Sequence, residues 1–204
     1  MTRAQPVPRS IIPKRTAGVP AQARYGAYKP QLRQDFFQRC GYCDDWDRYY
    51  GGLPGYHVEH FAPKKKFPAL ERDYANLIYA CPYCNRGKSD AWIGNDAHIP
   101  HNGAEGFVDP CQAEFDSHLT RDASGRFISL TPVGEYMLRK LRLHLERHRY
   151  IWVIQNLQVL RGKAEKLRHR VTRDHPDYVV ILETLADLQT KIDEYNDSVF
   201  GAAA

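Results

Sequence analysis

Apolar residues recur at helical spacing through the last third of the chain. A Thr-Pro pair at 131–132 combines an N-cap residue with a first-turn proline, which is typical of a helix start. We predict one helix from there to about residue 163, with a break at 147–150 left open, and a second from about 174 to just before residue 201. The apolar stripes are Tyr136, Met137, Leu141, Leu145, Ile151, Trp152, Leu157 and Leu160, and then Tyr178, Ile181, Leu182, Leu185, Leu188, Ile192 and Tyr195.

The first two thirds of the chain have no such sustained period. A short amphipathic helix is expected over 29–38, a buried strand over 77–80 and a short strand over 127–130. The sequence therefore divides into four segments: an extended basic, Pro-rich arm with its short helix (1–38), a core dense in Cys, His and aromatic residues (39–95), a loop-rich connection (96–130) and a C-terminal helical hairpin (131–204).

Composition is that of a globular protein, because 43% of the 204 residues are hydrophobic and 26% are charged. No apolar run approaches the roughly 20 residues that a membrane-spanning helix needs, so we expect no membrane partner. The formal net charge is +5, and residues 1–39 hold eight Lys or Arg against one acid, Asp35. The basic excess thus belongs to the arm, which together with 64–66 (Lys-Lys-Lys) is suited to contact phosphates.

The five cysteines and the N-terminal residues indicate the compartment. An odd number of cysteines argues against a secreted, fully oxidised protein. The start of the chain has no apolar signal-peptide region, and its prolines oppose the amphipathic helix of an organelle transit peptide. We expect a cytoplasmic protein.

Four of the cysteines form two pairs, Cys40 with Cys43 and Cys81 with Cys84, each with metal-knuckle spacing. Four thiolates suit a closed, tetrahedral structural Zn²⁺ site. The 37 residues between the pairs, 44–80, exceed the gap of an ordinary zinc ribbon, so the ion would join the two ends of an inserted unit. The alternative is four buried free thiols. We expect the fifth cysteine, Cys111, to be a small buried thiol.

The insert contains a compact group of chemically active side chains in the run His57-Val58-Glu59-His60. Carboxylate and amide oxygens, such as those of Glu59 and Asn85, suit Mg²⁺ or Mn²⁺. An imidazole with a near-neutral pKa can take a proton from water. Together these groups suffice for phosphodiester hydrolysis. The alternative is a surface strand with scattered polar residues.

The ordered pattern C-x-x-C, H-V-E-H-F-x-P-K, N-L-x-x-A-C-x-x-C-N-x-x-K over residues 39–90 resembles the HNH endonucleases, the zinc-knuckle form of the ββα-metal nucleases. The resemblance implies an α+β fold, in which a ββα-metal core is stapled by a four-cysteine zinc site. It also implies that His60 is the general base, that Glu59 and Asn85 hold the catalytic ion, and that Asn76 fixes the loop and orients the base. His57 is either a further ligand, a phosphate contact or a structural residue.

Two departures from the family pattern bear on the metal. The family more often has Asp at the position of Glu59, and often His at the position of Asn85. Both alternatives occur in the family, so hydrolysis stays possible and the choice of metal stays open.

Shorter motifs further along the chain, F-V-D-P-C, S-H-L, G-R-F-I and L-T-P-x-G, resemble the HNH proteins encoded beside ATPases in Septu-type bacterial anti-phage systems. This resemblance implies DNA cleavage in antiviral defence with an ATPase partner. It places Asp109, Cys111 and His118 in a loop packed on the core. The C-terminal helices carry more apolar residues than one helix–helix seam needs, so a homo-oligomer is also expected. The alternative function is a zinc-stapled subunit that binds or bridges nucleic acid without catalysis.

Overall fold

The computed structural model describes Arg9 and residues 11–201. The chain forms two compact units, Met1–Leu145 and Glu146–Ala204. The boundary between them lies later than the start of the C-terminal hairpin at residue 131 that the sequence predicts. The first C-terminal helix therefore belongs to the first unit.

The regular elements of the first unit are short. Its helices and strands are α1 (Lys29–Asp35), β1 (His57–His60), β2 (Leu77–Ala80), α2 (Pro82–Lys88), α3 (Phe115–His118), β3 (Leu119–Arg121), β4 (Phe127–Ser129) and α4 (Pro132–Lys140). Single 3₁₀ turns cover Tyr25–Tyr28, Asp47–Tyr50, Leu53–Gly55, Pro68–Leu70 and Tyr74–Asn76. The helix expected over 29–38 ends at Asp35, because Phe37 and Gln38 take left-handed backbone angles that turn the chain into the first cysteine pair.

The centre of this unit is a ββα arrangement. Strands β1 and β2 pair antiparallel with His57 opposite Ala80 and His60 opposite Leu77, and α2 follows β2 after a single residue, Cys81. All four residues of β2 are buried, which explains its continuous apolar sequence. The α+β class and the ββα core predicted from the sequence are confirmed.

Helix α2 lies against the end of α4 at a glycine. A Cβ atom added to Gly87 would lie 2.4 Å from the carbonyl oxygen of Lys140, so only glycine permits this close approach. Helix α4 begins as predicted, since the Thr131 side chain accepts a hydrogen bond from the Gly134 N–H (3.1 Å). The hairpin of β3 and β4 also packs on α4. Helix α4 therefore contacts both this hairpin and α2.

The described residues of the predicted basic arm fold back onto the unit, and its residues 1–8 and 10 lie outside the described part of the chain. The Arg9 guanidinium pairs with Asp116 (2.6 Å), and that of Arg15 pairs with Asp109 (2.8 Å). Thr16 donates two hydrogen bonds to the carboxylate of Asp35, from its N–H (2.6 Å) and its hydroxyl (2.7 Å). Burial alone would raise the pKa of Asp35, but hydrogen bonds from Tyr74, Thr16 and Gln31 outweigh it and leave that pKa below its usual value.

The second unit contains two long helices, α5 (Glu146–Arg168) and α6 (Tyr178–Phe200), which pack on each other. The single helix expected over 132–163 is instead α4 and α5. The break falls at 141–145, where Arg142 has a left-handed φ of 58°, and not at 147–150. Within the described part of the chain, none of the helices combines the length and apolar character needed to cross a membrane.

Candidate functional site

The four paired cysteines come together as the sequence predicts. Their sulfur atoms all lie within 4.8 Å of one another, and the Cys43 and Cys81 sulfurs are 3.7 Å apart. Tetrahedral zinc with Zn–S bonds of about 2.3 Å requires sulfur–sulfur distances of about 3.8 Å. The four thiols are buried and free of disulfide bonds, so the donor set and its spacing fit a zinc ion. Cys111 is only half-buried, which differs from the expected buried thiol.

An open cleft of about 350 Å³ lies between β1 and the start of α2. Because β2 runs antiparallel to β1, the end of β2 lies beside the start of β1, and α2 begins there, directly after Cys81. The cleft therefore gathers side chains from both ends of the insert. Its lining is His57, Val58, Glu59, His60, Pro63, Lys64, Pro82, Asn85, Arg86, Ser89 and Asp90.

Glu59 lies at the floor of this cleft and is only 4% exposed. Its Oε2 accepts a hydrogen bond from the Tyr42 hydroxyl (2.6 Å), and its Oε1 accepts one from Lys88 Nζ (2.7 Å). Beside that carboxylate, burial raises the pKa of the Tyr42 phenol well above its ordinary value, so Tyr42 stays a donor. Each carboxylate oxygen has a second lone pair, so these contacts orient Glu59 without exhausting its acceptors.

Lys88 is a site residue that the sequence pattern alone does not single out. Its ammonium group is fully buried, and besides Glu59 it donates to the backbone carbonyl of His60 (2.9 Å). The same group lies 5.3 Å from the centroid of the Phe107 ring. The position of Lys88 three residues after Asn85 is visible in the motif, but its ion pair with a strand 29 residues away is not.

His60 is held on two sides. Its Nε2 lies 2.9 Å from the carbonyl oxygen of Glu71, and the Tyr25 ring meets it edge-on at 4.7 Å between centroids. A carbonyl can only accept, so Nε2 carries the proton and Nδ1 keeps a lone pair. Burial lowers the pKa of His60 below its usual value, against the opposing effect of the Glu71 carbonyl. The imidazole is therefore neutral near pH 7.

The segment that contains these residues matches a known protein family. Residues 40–91 match the family model of the HNH endonuclease. This segment is an HNH domain. It contains both cysteine pairs, both strands of the ββα core and the whole of α2. No curated protein and no solved structure matches the chain.

Within the HNH domain, Asn76 closes the loop between the two strands. Its Oδ1 accepts from the Ala62 N–H (2.8 Å), and its Nδ2 donates to the carbonyls of Ala62 (2.9 Å) and Leu70 (3.3 Å). Leu70 precedes Glu71, whose carbonyl holds His60. Asn76 thus fixes the loop that orients the imidazole and lies outside the cleft lining.

Asn85 and His57 both line the cleft of the HNH domain. Asn85 sits half-buried in the first turn of α2, and His57 is exposed at the start of β1. Burial, with the nearby charges of Lys29 and Arg86, lowers the pKa of His57. The structure therefore brings His57, Glu59, His60 and Asn85 to one cleft and places Asn76 behind it.

Two parts of the first unit outside the HNH domain complete its surroundings. Tyr25, which contacts His60, comes from the predicted arm, and Phe107, beneath Lys88, comes from the predicted loop connection. Arg9 and Arg15 are in internal ion pairs with side chains 6% and 12% exposed, so these two arginines do not offer free charge to phosphates. Asp109 holds Arg15, and Cys111 packs against the core. His118, which is expected in the same loop, is instead the last residue of α3.

Proposed function

We propose that this protein is a metal-dependent endonuclease that hydrolyses phosphodiester bonds in DNA. The observation that carries the proposal is His60, a neutral imidazole with Nε2 bound to the Glu71 carbonyl, in the same cleft as Glu59 and Asn85. A nuclease needs a base whose unprotonated nitrogen is available at the operating pH, and this geometry supplies one.

Each residue at or behind the cleft has a separate role in the hydrolysis. His60 Nδ1 accepts a proton from a water molecule as the water oxygen bonds to phosphorus. One P–O ester bond breaks to leave a phosphomonoester, the leaving oxygen takes up a proton from solvent to become a hydroxyl group, and the imidazolium returns its proton to solvent. The Glu71 carbonyl stabilises the imidazolium that forms, because its hydrogen bond to Nε2–H strengthens as the ring gains charge. Asn76 holds the loop that carries this carbonyl.

Oxygen donors in the cleft suit a hard divalent cation. Glu59 and Asn85, with His57 as a further ligand, would hold Mg²⁺ or Mn²⁺. When bound, the ion stabilises negative charge on the phosphate oxygens. Tyr42 and Lys88 hold the Glu59 carboxylate in one orientation before any ligand arrives. The four-cysteine cluster would hold Zn²⁺ as a structural ion, because four protein donors leave no place for substrate.

One observation favours a second candidate, a zinc-stapled module that binds or bridges nucleic acid without catalysis. Both oxygens of Glu59 are already hydrogen-bonded, one of them to a buried cation. A carboxylate in that state is a weaker metal ligand than a free one, since the ammonium group competes for its charge. The neutral, fixed His60 argues for the enzyme, because a binding module has no need of an unprotonated Nδ1.

The wider setting of the proposal rests on the Septu-type resemblance and on the chain's thiols. We propose a role in bacterial anti-phage defence, with an ATPase partner that controls cutting and with self-association through the C-terminal helices. All five cysteines are free thiols, which fits a reducing cytoplasm.

The test is cleavage of plasmid and linear DNA by the purified chain with Mg²⁺, Mn²⁺ or EDTA. His60→Ala should lower the rate roughly 100- to 10,000-fold while DNA affinity stays nearly unchanged, because a base acts mainly in the transition state. His98→Ala is the matched control, since His98 is exposed and lies outside the cleft. Equal rates for His60→Ala and wild type would refute the catalytic role. DNA binding without cleavage under every metal condition would favour the second candidate.

A further inference from the structure

A second cleft, of about 360 Å³, lies beside the candidate active site. It is formed by the turn at the end of the N-terminal arm and by the loop that follows β1. Its lining is Ala23, Arg24, Tyr25, Gly26, Glu71 and Arg72. Four of these six residues precede the HNH domain, so the family motif does not account for this cleft.

His60 connects the two clefts. Its imidazole lines the first cleft and contacts two residues that line the second, the ring of Tyr25 (4.7 Å between centroids) and the carbonyl of Glu71 (2.9 Å). Lys64 Nζ lies 4.2 Å from the centroid of the Tyr25 ring. Tyr25 therefore serves as a supporting wall between the clefts rather than as an open stacking surface for a base.

The charge of the second cleft is positive and available. Arg24 and Arg72 are exposed, and neither guanidinium forms an ion pair or a side-chain hydrogen bond with any residue that the structure describes. The acidic group of the cleft, Glu71, is paired with Lys64 (3.0 Å). This differs from Arg9 and Arg15, whose charges are neutralised internally. Guanidinium groups that form no ion pair with a described residue are suited to bind the phosphates of a nucleic-acid backbone, and these two lie in the cleft next to His60.

We propose that the cleft of Arg24, Tyr25 and Arg72 binds the DNA backbone on one side of the phosphate that lies at His60. Arg24 and Arg72 contact the neighbouring phosphates, while Arg86 lines the first cleft. This inference rests on the proposed function, because it takes the phosphate at His60 as its reference point. The basic arm then contributes through one rigid turn at its end.

The experiment measures how DNA affinity depends on salt. A fluorescein-labelled DNA duplex is titrated with the full chain in EDTA over roughly 50–200 mM NaCl, and log Kd is plotted against log salt. Arg24→Ala/Arg72→Ala should reduce the magnitude of the slope by about 2, since each phosphate contact contributes roughly 0.9. Arg24→Lys/Arg72→Lys should retain most of the wild-type slope, because it keeps both charges. Thermal melting of each variant verifies that the fold is intact.

The matched control is Lys140→Ala/Arg142→Ala, which removes two exposed cations of the same unit that form no ion pair with a described residue and lie outside both clefts. This control should leave the slope unchanged. An equal fall in the control, an unchanged slope in the cleft variant, or a wild type without salt-dependent binding would each overturn the inference. If wild type cleaves DNA but the cleft variant keeps the wild-type slope, the inference is rejected and the proposed catalysis is not. A flattened slope in a chain that never cleaves DNA rejects the proposed catalysis alone.

Discussion

Lys88 and Glu59 show how single residues set the state of the cleft. The two side chains are 0% and 4% exposed and lie 2.7 Å apart. An ion pair in such surroundings compensates for desolvation only when its remaining donors and acceptors are also satisfied. Here the Tyr42 hydroxyl donates to Glu59 and the His60 carbonyl accepts from Lys88, so each partner has one further hydrogen bond. The pair therefore acts as one unit, and the removal of either partner leaves a buried, uncompensated charge.

Replacing Lys88 by Met should lower the free energy of unfolding by about 3–5 kcal/mol, because Glu59 would lose its partner in a buried position. Glu59→Gln/Lys88→Met should recover much of that loss, since it removes both charges while nearly keeping the volume. Chemical denaturation of the two single variants, the double variant and wild type measures the coupling between the two residues. Additive effects of the two substitutions would contradict this description of the pair.

Among the elements, the cysteine cluster and α2 depend on each other. Cys81 precedes α2, and its sulfur accepts a hydrogen bond from the Cys84 N–H (3.4 Å), so the first turn of the helix and the metal site share one backbone conformation. Asn85 follows Cys84 directly and lies in the same turn. The orientation of Asn85, which we propose as a ligand of a catalytic ion, is thus tied to the four-cysteine cluster.

Cys81→Ser should release the zinc and lower the melting temperature of the first unit, because metal binding contributes directly to folding in small zinc sites. Cys111→Ser is the matched control, since it removes a thiol that lies outside the cluster. Elemental analysis should find about one zinc ion per chain in wild type and in the control. A folded wild type without zinc, or full zinc content in Cys81→Ser, would contradict the assignment.

The elements also show how far the sequence predicts the fold. The cysteine spacing and the continuous apolar run at 77–80 are enough to predict the ββα core, because local spacing determines both. The predicted break between α4 and α5 lies too late, since apolar periodicity continues through 141–145 and only the backbone of Arg142 reveals the turn. The roles of Tyr25 and Lys88 depend on contacts between distant segments, and no local pattern encodes them.

On the scale of the whole molecule, the formal charge of the arm overstates the charge that is available to contact phosphates. Its net charge predicts contact with phosphates, yet Arg9 and Arg15 are held by acidic residues about a hundred positions away. A sum over the sequence cannot distinguish a free guanidinium from a paired one. Among its described residues, the arm therefore presents less positive charge to the outside than its formal charge indicates.

The C-terminal unit has large apolar side chains in contact with solvent, including Val159 and Leu160 on α5 and Val179 and Val180 on α6, each about half exposed. Exposed apolar groups of this kind favour association. Leu160→Ser/Val180→Ser should shift the chain toward monomer in light scattering over a concentration range. Ile128→Ser, which removes a 41% exposed side chain from β4, should have no such effect. A wild type that stays monomeric at every concentration would refute the prediction.

The ion pairs of Arg9 and Arg15 also set an order of events during synthesis. Arg15 leaves the ribosome 94 residues ahead of Asp109, which at about 5–20 residues per second corresponds to a delay of roughly 5–20 s. Until then the segment that carries Tyr25 is held by contacts with residues made earlier, such as the hydrogen bond from Arg15 to the Leu77 carbonyl (2.8 Å) and the packing of Tyr28 on Tyr74. A nascent chain would therefore complete the ion pairs of its arm only after residues 40–91 have been made, and these pairs would close a segment that other contacts have already placed.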